Sequence, residues 1–296
     1  MTCRVLTLNV LSPYLVSEME PVPDNEERKK KLLLYLETVC AEKYIIGLQE
    51  VCVDWAKELR PFFEARGYFS QASLYGDEAS GGMGLLIAYP SSRYSGSVFE
   101  ERLSAEIASV MHNFPDKKEE RMIMSRPNTV LTARLEDTAS KHKFCVTICH
   151  LPCKWEHCAA MSTFALGVKY IFFKHLDADY RHGILMGDFN LQPGRRGFKL
   201  LPSTFGGRER VAFTSADPLI YEMGKLKDAM GKRHPHTNAA KYRGQNFFAA
   251  PLDYILTSEN VDALSCEVPK FQYGTPFLEQ GHFSDHLPVT AELKFL

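Results

Sequence analysis

The sequence predicts a protein of mixed α and β structure, rich in strands. Short apolar runs of β-type residues recur from one end of the chain to the other, among them Val5-Leu6-Thr7-Leu8, Tyr44-Ile45-Ile46-Gly47-Leu48 and Ile184-Leu185-Met186. Between them lie longer stretches whose apolar residues return at helical spacing. Two sheets packed face to face, with helices outside, would bring the ends of such strands to one rim.

After the first strand, Glu26 to Cys40 reads as a helix with Leu32, Tyr35 or Leu36, and Val39 on one face. The strand Tyr44–Leu48 follows. Asp54 to Arg66 reads as a second helix, with Trp55, Leu59, Phe62 and Phe63 inward and Gly67 as its stop. Met83–Tyr89, Thr129–Leu135 and Phe144–Ile148 read as strands. His157 to Asp177 carries Met161, Phe164, Val168, Ile171 and His175 at helical spacing, and the strand Ile184–Met186 comes next. Pro251-Leu252-Asp253-Tyr254-Ile255-Leu256 opens a further strand. The tail Val289–Phe295 alternates strictly, as a half-buried strand does. Ser97 to Arg126 is the least readable stretch; within it Asp116–Arg121 is expected to be an exposed loop or a helix end.

The bulk properties narrow the class. The apolar content of 45% is ordinary for a globular chain. No apolar run approaches the length of a membrane span, and Met1-Thr2-Cys3-Arg4 leads straight into a strand and not into a signal peptide. An intracellular protein, cytoplasmic or nuclear, with no membrane partner is the expectation. Eight cysteines in such a chain form no disulfide framework. Cys149, Cys153, His157 and Cys158 match no closed zinc spacing well. A net charge of −1 excludes a global basic signature, but Gly194 to Arg243 holds eleven Lys or Arg against four Asp or Glu. Arg195 and Arg196 lead that stretch, which is either a basic rim for a polyanion or a solvated loop.

The chemistry sits at the strand ends. Asn9 lies near the end of the first strand, Glu50 closes the second apolar run, and His150 ends the run from Phe144. Gly187-Asp188-Phe189-Asn190 ends another strand, Asp253 opens one, and Ser284-Asp285-His286 precedes the last. A lone Glu at the end of an apolar run is costly without a partner, and a cation supplies one. Asn9, Glu50, Asp188, Asn190 and Asp285 are all hard oxygen donors, suited to Mg²⁺. His112, His142, His175 and His182 read as structural.

In this order the set resembles the endonuclease/exonuclease/phosphatase superfamily, and the resemblance runs from Asn9 to His286. The motifs spanning the whole chain argue for a single catalytic domain over residues 1–296. The resemblance implies a four-layer α/β/β/α sandwich of two packed mixed sheets flanked by helices, with the site at one rim. It also implies a Mg²⁺-dependent phosphodiesterase using one or two ions, with Mn²⁺ as a substitute. Carried over residue by residue, His286 faces the scissile phosphate and Asp253 orients its ring. Asp188 aligns or deprotonates the attacking water, and Asn190 and His150 donate hydrogen bonds to phosphate oxygens.

Thr7-Leu8-Asn9-Val10-Leu11, Leu48-Gln49-Glu50-Val51, His236-Thr237-Asn238 and Leu252-Asp253-Tyr254-Ile255 look most like the deadenylase, nocturnin and 2′-phosphodiesterase branch. That branch implies single-stranded RNA or another nucleic acid as substrate. Pro152, Trp155, Phe247 or Phe248 would stack a base, and Arg126 and Asn128 would meet phosphate. The leading reading is a 3′–5′ exoribonuclease releasing 5′-monophosphates. The alternatives are a DNA repair hydrolase (an abasic-site endonuclease or a tyrosyl-DNA phosphodiesterase) and a non-catalytic scaffold. The scaffold is disfavoured because Glu50, Asp188, Asp285 and His286 are all present.

Overall fold

A computed structural model describes residues 1–110, 117–153, 157–193, 199, 201, 223–231 and 234–296. Two six-stranded mixed sheets dominate it. The first is built from β1 (Thr2–Asn9), β2 (Ile45–Val51), β3 (Tyr68–Leu74), β4 (Gly84–Pro90), β13 (Val261–Glu267) and β14 (Val289–Phe295), in the order β13-β14-β1-β2-β4-β3. The second holds β5 (Tyr94–Arg102), β6 (Thr129–Asp137), β7 (Lys143–His150), β8 (His182–Asp188), β9 (Lys227–Asp228) and β12 (Asp253–Thr257), in the order β5-β6-β7-β8-β12-β9. A short hairpin, β10 (Asn238–Ala240) with β11 (Phe248–Ala250), completes the strands.

Strand alternation assigns each side chain to a layer. Val5, Ile45, Leu85 and Ile87 of the first sheet meet Leu131, Val146, Ile148, Ile184 and Met186 of the second in an inter-sheet core. The opposite face of the first sheet carries Leu6, Leu8, Ile46 and Leu48. These pack under α1 (Asn25–Ala41) and α2 (Val53–Glu64) through Leu32, Leu36, Trp55, Leu59 and Phe63. The outer face of the second sheet is covered by α3 (Leu103–Val110), α4 (Lys117–Met124) and α5 (Cys158–Lys174), through Ile107, Ile123, Phe164 and Ile171. The four layers are thus α/β/β/α. No helix among the described residues is long and apolar enough to cross a membrane.

α1, α2 and α5 sit within one to three residues of their predicted bounds, whereas α3 lies in the stretch that the sequence left unread. Asp24 caps α1 by accepting from the N–H groups of Glu26 and Glu27 at 2.8 and 3.1 Å. Phe62, expected to point inward, is only half-buried and packs edge-on against Phe63. Besides the short β9, β10 and β11, the strands that the sequence hides are β3, β5 and β13. Each is an outer strand of its sheet, and along β5 and β13 most side chains face solvent. Such strands need little apolar character, so hydrophobic periodicity does not mark them. Lys117–Arg121 forms the start of α4, the helix end expected there.

Candidate active site

The ends of β1, β2, β7 and β8, the start of β12 and the loop before β14 converge on one rim. β2 reaches it through a bulge: its register with β4 shifts between Gln49 and Val51, and Glu50 adopts a φ of 59°. A left-handed Glu is uncommon and costs on the order of 1–3 kcal/mol, and such residues cluster at functional sites. Glu50 Oε1 accepts from Asn9 Nδ2 at 2.9 Å, and Oε2 accepts from the Ser12 N–H at 3.1 Å. The same Asn9 amide nitrogen donates to Asp188 Oδ2 at 3.1 Å. Asn9 therefore stands between two carboxylates, while its own oxygen accepts from the Leu11 N–H at 3.0 Å.

Asp188 ends β8 directly opposite His150 on the parallel neighbour β7. Gly187 before it is obligatory: its φ is 150°, and a Cβ there would lie 2.0 Å from the Cys149 carbonyl oxygen. The turn closes with the Asn190 N–H donating to Asp188 Oδ1 at 2.9 Å, with Asn190 at a φ of 49°. Asn190 Nδ2 donates to the Leu151 carbonyl at 2.8 Å. His150 points Nε2 to 3.6 Å from Asp188 Oδ2 and 3.9 Å from Glu50 Oε1. Its backbone carbonyl is held by Asn128 Nδ2 at 2.9 Å.

Asp253 opens β12 opposite Asp188 on the other side of β8. His286 Nδ1 lies 2.8 Å from Asp253 Oδ2, and its Nε2 lies 3.7 Å from Asp188 Oδ2. Thr237 fixes the Asp253 backbone, its hydroxyl oxygen accepting from the N–H groups of Leu252 and Asp253 at 2.9 and 3.0 Å. Asp285 Oδ2 accepts from Asn238 Nδ2 at 3.3 Å and from the Tyr242 hydroxyl at 3.4 Å. Behind these loops sits Arg28 of α1, buried and fully engaged. It donates to the carbonyls of Val10, Leu11 and Phe283 and to Asn25 Oδ1, all at 2.6–2.7 Å.

Burial and crowding set the titration of these groups. Asp188 is raised above the ordinary carboxylate range by loss of water, and then by the neighbouring Asp253 charge. Asp285 is raised by burial and further by Glu50. Burial alone would lower His286, but the charges of Asp253, Asp188 and Asp285 outweigh it and hold the ring well above its usual value. Burial lowers Arg28 to about 10.

Asp188, Asp253 and His286 offer ligand atoms within 4.8 Å of one another. Asp253 Oδ2 and His286 Nδ1 already bond each other, which makes them a good orienting pair, while Asp253 Oδ1 is buried with no hydrogen-bond partner among the described residues. The oxygen-rich side, formed by Glu50, Asp188 and Asp285, suits a hard divalent cation better. Asp188 and Asp285 are pushed up by burial and by a neighbouring carboxylate, Asp253 and Glu50 respectively, the condition that a cation relieves.

Of the residues singled out from the sequence, Asn9, Glu50, Asn128, His150, Asp188, Asn190, Asp253, Asp285 and His286 are brought together here. Pro152 is buried. Trp155, Arg195 and Arg196 lie outside the described residues. Cys149 is buried and Cys153 exposed, and Cys3, Cys40, Cys52, Cys145, Cys149 and Cys266 are free thiols. Arg28, Ser12, Tyr75 and Tyr242 were not singled out. The resemblance includes Thr237 and Asn238 but implies no role for them. A basic residue on the inward side of an otherwise amphipathic helix was the one local signal for Arg28.

Buried acid–base groups gathered around carboxylates are the equipment of a hydrolytic enzyme working on a charged ester. The chain belongs to the Endonuclease/Exonuclease/phosphatase family, whose profile matches residues 6–286. Members of that family are hydrolases of phosphodiesters or phosphate esters and generally use a divalent metal. Among solved structures, ANGEL2, a 2′,3′-cyclic phosphatase in complex with adenosine-2′,3′-vanadate, superposes with a TM-score of 0.75 at 17% identity, covering 100% of this chain and 96% of that one. The human nocturnin catalytic domain gives 0.68 at 18%, covering 100% and 95%. TDP2 of D. rerio, complexed with single-strand DNA product, gives 0.62 at 16%, covering 99% of both. At these identities the likeness shows the fold. No curated protein sequence matches the chain significantly.

Proposed function

We propose that the chain is a Mg²⁺-dependent phosphodiesterase that degrades single-stranded RNA from its 3′ end to nucleoside 5′-monophosphates, acting as one catalytic domain over residues 1–296. The observation that carries the chemistry is the His286–Asp253 pair at 2.8 Å, with Nε2 turned towards Asp188. The free cysteines fit a reducing compartment, cytoplasmic or nuclear.

Glu50, Asp188 and Asp285 would hold the cation, with Asn9 and Asn190 in support. When bound, the ion offsets the charge of the phosphoryl oxygens. Asp188 would align the attacking water and take its proton as the new P–O bond forms, and the 3′ oxygen released as P–O3′ breaks would take a proton from solvent water to leave as a hydroxyl. Asp253 fixes the His286 tautomer with a proton on Nδ1. Charging of the ring makes Nε2–H a donor to the phosphoryl group. His150 Nε2, between Glu50 and Asp188, is placed to donate from the other side. Asn9 keeps the two carboxylates apart with its amide and does not itself offer the oxygen that Leu11 occupies.

Single-stranded RNA is favoured over DNA by the sequence likeness to the deadenylase and nocturnin branch; the fold is shared with a 2′,3′-cyclic phosphatase and with nocturnin. The fold shared with TDP2 supports the second reading, a DNA repair hydrolase. A panel of 3′- and 5′-labelled RNA and DNA with Mg²⁺, resolved for product length and end chemistry, decides between them. Stepwise loss of 3′ nucleotides from single-stranded RNA supports the first reading. Nicking of abasic duplex DNA, with single-stranded RNA left intact, sinks it in favour of the second.

A further inference from the structure

Tyr75 is a residue to which neither the sequence motifs nor the mechanism above gives a role. It follows β3 at the start of the hairpin to β4, where its N–H and that of Gly76 donate to the Met83 carbonyl at 3.3 and 2.9 Å. The hairpin is pinned to the Glu50 side of the rim. The Gly81 carbonyl accepts from the N–H of Val53, the first residue of α2, at 3.0 Å. Gly81, at a φ of 65°, lies so close to the Tyr14 ring that a Cβ would meet it at 2.2 Å. The Tyr14 hydroxyl in turn donates to Asp54 Oδ2 at 3.1 Å. Tyr75 is therefore carried by a loop braced on both sides, which is what a positioned donor requires.

Its hydroxyl sits among the groups of the site. Asn128 Nδ2, which holds the His150 carbonyl at 2.9 Å, also approaches the Tyr75 oxygen at 3.5 Å. The amide is the donor in that contact, so the phenol oxygen accepts and its proton is committed to no described acceptor. Burial raises the phenol, as do the nearby charges of Glu50 and, more weakly, Asp188, while the Asn128 amide lowers it. The group therefore keeps its proton wherever the site works. A neutral donor near the Glu50 carboxylate, on a braced loop and partly buried at the rim, has a natural acceptor in an anionic oxygen brought by the substrate.

We propose that Tyr75 is a further catalytic residue, donating its hydroxyl hydrogen bond to a non-bridging oxygen of the phosphoryl group from the Glu50 side of the cleft, with Asn128 setting the phenol's orientation. The inference rests on the phosphodiesterase reading above. The competing account is packing, since the ring also abuts the inter-sheet core.

Tyr75→Phe separates the two accounts, because it keeps the ring and removes only the donor. Turnover of bis(p-nitrophenyl) phosphate and of labelled single-stranded RNA is measured for the wild type, Tyr75→Phe, Asn128→Ala and the double variant, beside their melting temperatures. The expected result is a melting temperature near wild type with kcat lowered roughly 10²-fold, the usual loss for one donor to a developing oxyanion, and KM little changed. The double variant should lose less than the product of the two single losses, because the amide acts partly through the phenol and partly through the His150 carbonyl that it holds. Should Tyr75→Phe melt early, Tyr75→His supplies a donor without the phenol, and turnover above that of Tyr75→Phe is then the expected result. Wild-type turnover by Tyr75→Phe overturns the inference and leaves the phosphodiesterase reading standing. A wild-type chain that hydrolyses neither ester in Mg²⁺ overturns both.

Discussion

Two buried histidines in this protein sit against carboxylates at nearly the same distance, yet their surroundings differ in kind. His286 Nδ1 is 2.8 Å from Asp253, and His175 Nε2 is 2.7 Å from Glu101. Around Glu101 the charges balance. Lys174 contacts Glu101 and Glu106 at 3.0 and 2.9 Å, and the His175 ring leans on Phe99. Around His286 they do not: Asp188, Asp253, Asp285 and Glu50 crowd one rim, and the buried Arg28, which donates to backbone carbonyls, offsets the Asp285 charge only in part. The titration follows. Burial would raise Glu101, but hydrogen bonds and charge from His175 and Lys174 outweigh it and bring the group below its ordinary value. Asp188 and Asp285 are raised. The hydrogen-bonded pair is thus common to both regions; the excess of uncompensated carboxylate is what distinguishes a reaction centre from a structural brace.

The sharpest way to break this comparison is to remove the groups that should act. EDTA should abolish hydrolysis, with Mg²⁺ or Mn²⁺ restoring it, and full turnover in chelator would remove the metal from the mechanism. Asp188→Ala and His286→Ala should each reduce kcat roughly 10²–10⁴-fold while substrate affinity survives better, the range for losing a positioned acid–base or charge-stabilising group. Steady-state kinetics beside an equilibrium binding measurement separate the two effects. A smaller loss is expected for Asp253→Asn, roughly 10–100-fold as for other orienting partners, since the ring remains but its tautomer is no longer held.

The other region should respond in stability and not in rate. His175→Ala leaves the partly buried Glu101 short of a partner and should cost about 1–3 kcal/mol in denaturant unfolding, with kcat unchanged. The pH dependence carries the sign of a lowered carboxylate. The contribution of Glu101 is fully present above its unfolded value near 4.5 and is lost as the pH falls through its lower folded value. Wild type and Glu101→Gln should therefore converge in stability in acid and diverge towards neutral pH. Identical curves for the two would show that the pairing contributes nothing. The smallest effect concerns the basic stretch. Neutralising Arg195 and Arg196 should raise KM for RNA more than it lowers kcat and should flatten the fall of affinity with salt, read from KM across a salt series.

What the sequence determined by itself is what lies within a few residues. The apolar runs of β1, β2, β7 and β8 mark buried strands, and the stripes of α1, α2 and α5 mark helices lying on a sheet. The polar residues that stop those runs, Asn9, Glu50, His150 and Asp188, mark the rim, because a buried strand ends where it first meets a group that needs water or a partner. The two histidine–carboxylate pairs were not equally legible. His286 stands in a Ser-Asp-His-x-Pro sequence, whereas His175 and Glu101 are 74 residues apart and meet only in the fold. Tertiary structure alone decided the rest. Pairing of β8 between β7 and β12 set His150 and Asp253 on either side of Asp188. The bulge at Glu50 depends on a register set by β4. Arg28 and Tyr75 reach the site from a helix and a hairpin whose local sequence says nothing of a rim formed by strands up to 258 residues away, from Arg28 to His286. Edge strands such as β5 and β13 anchor a single fully buried side chain each, Tyr94 and Val261, and otherwise owe their place to a neighbour's hydrogen bonds, so their sequence carries little trace of it.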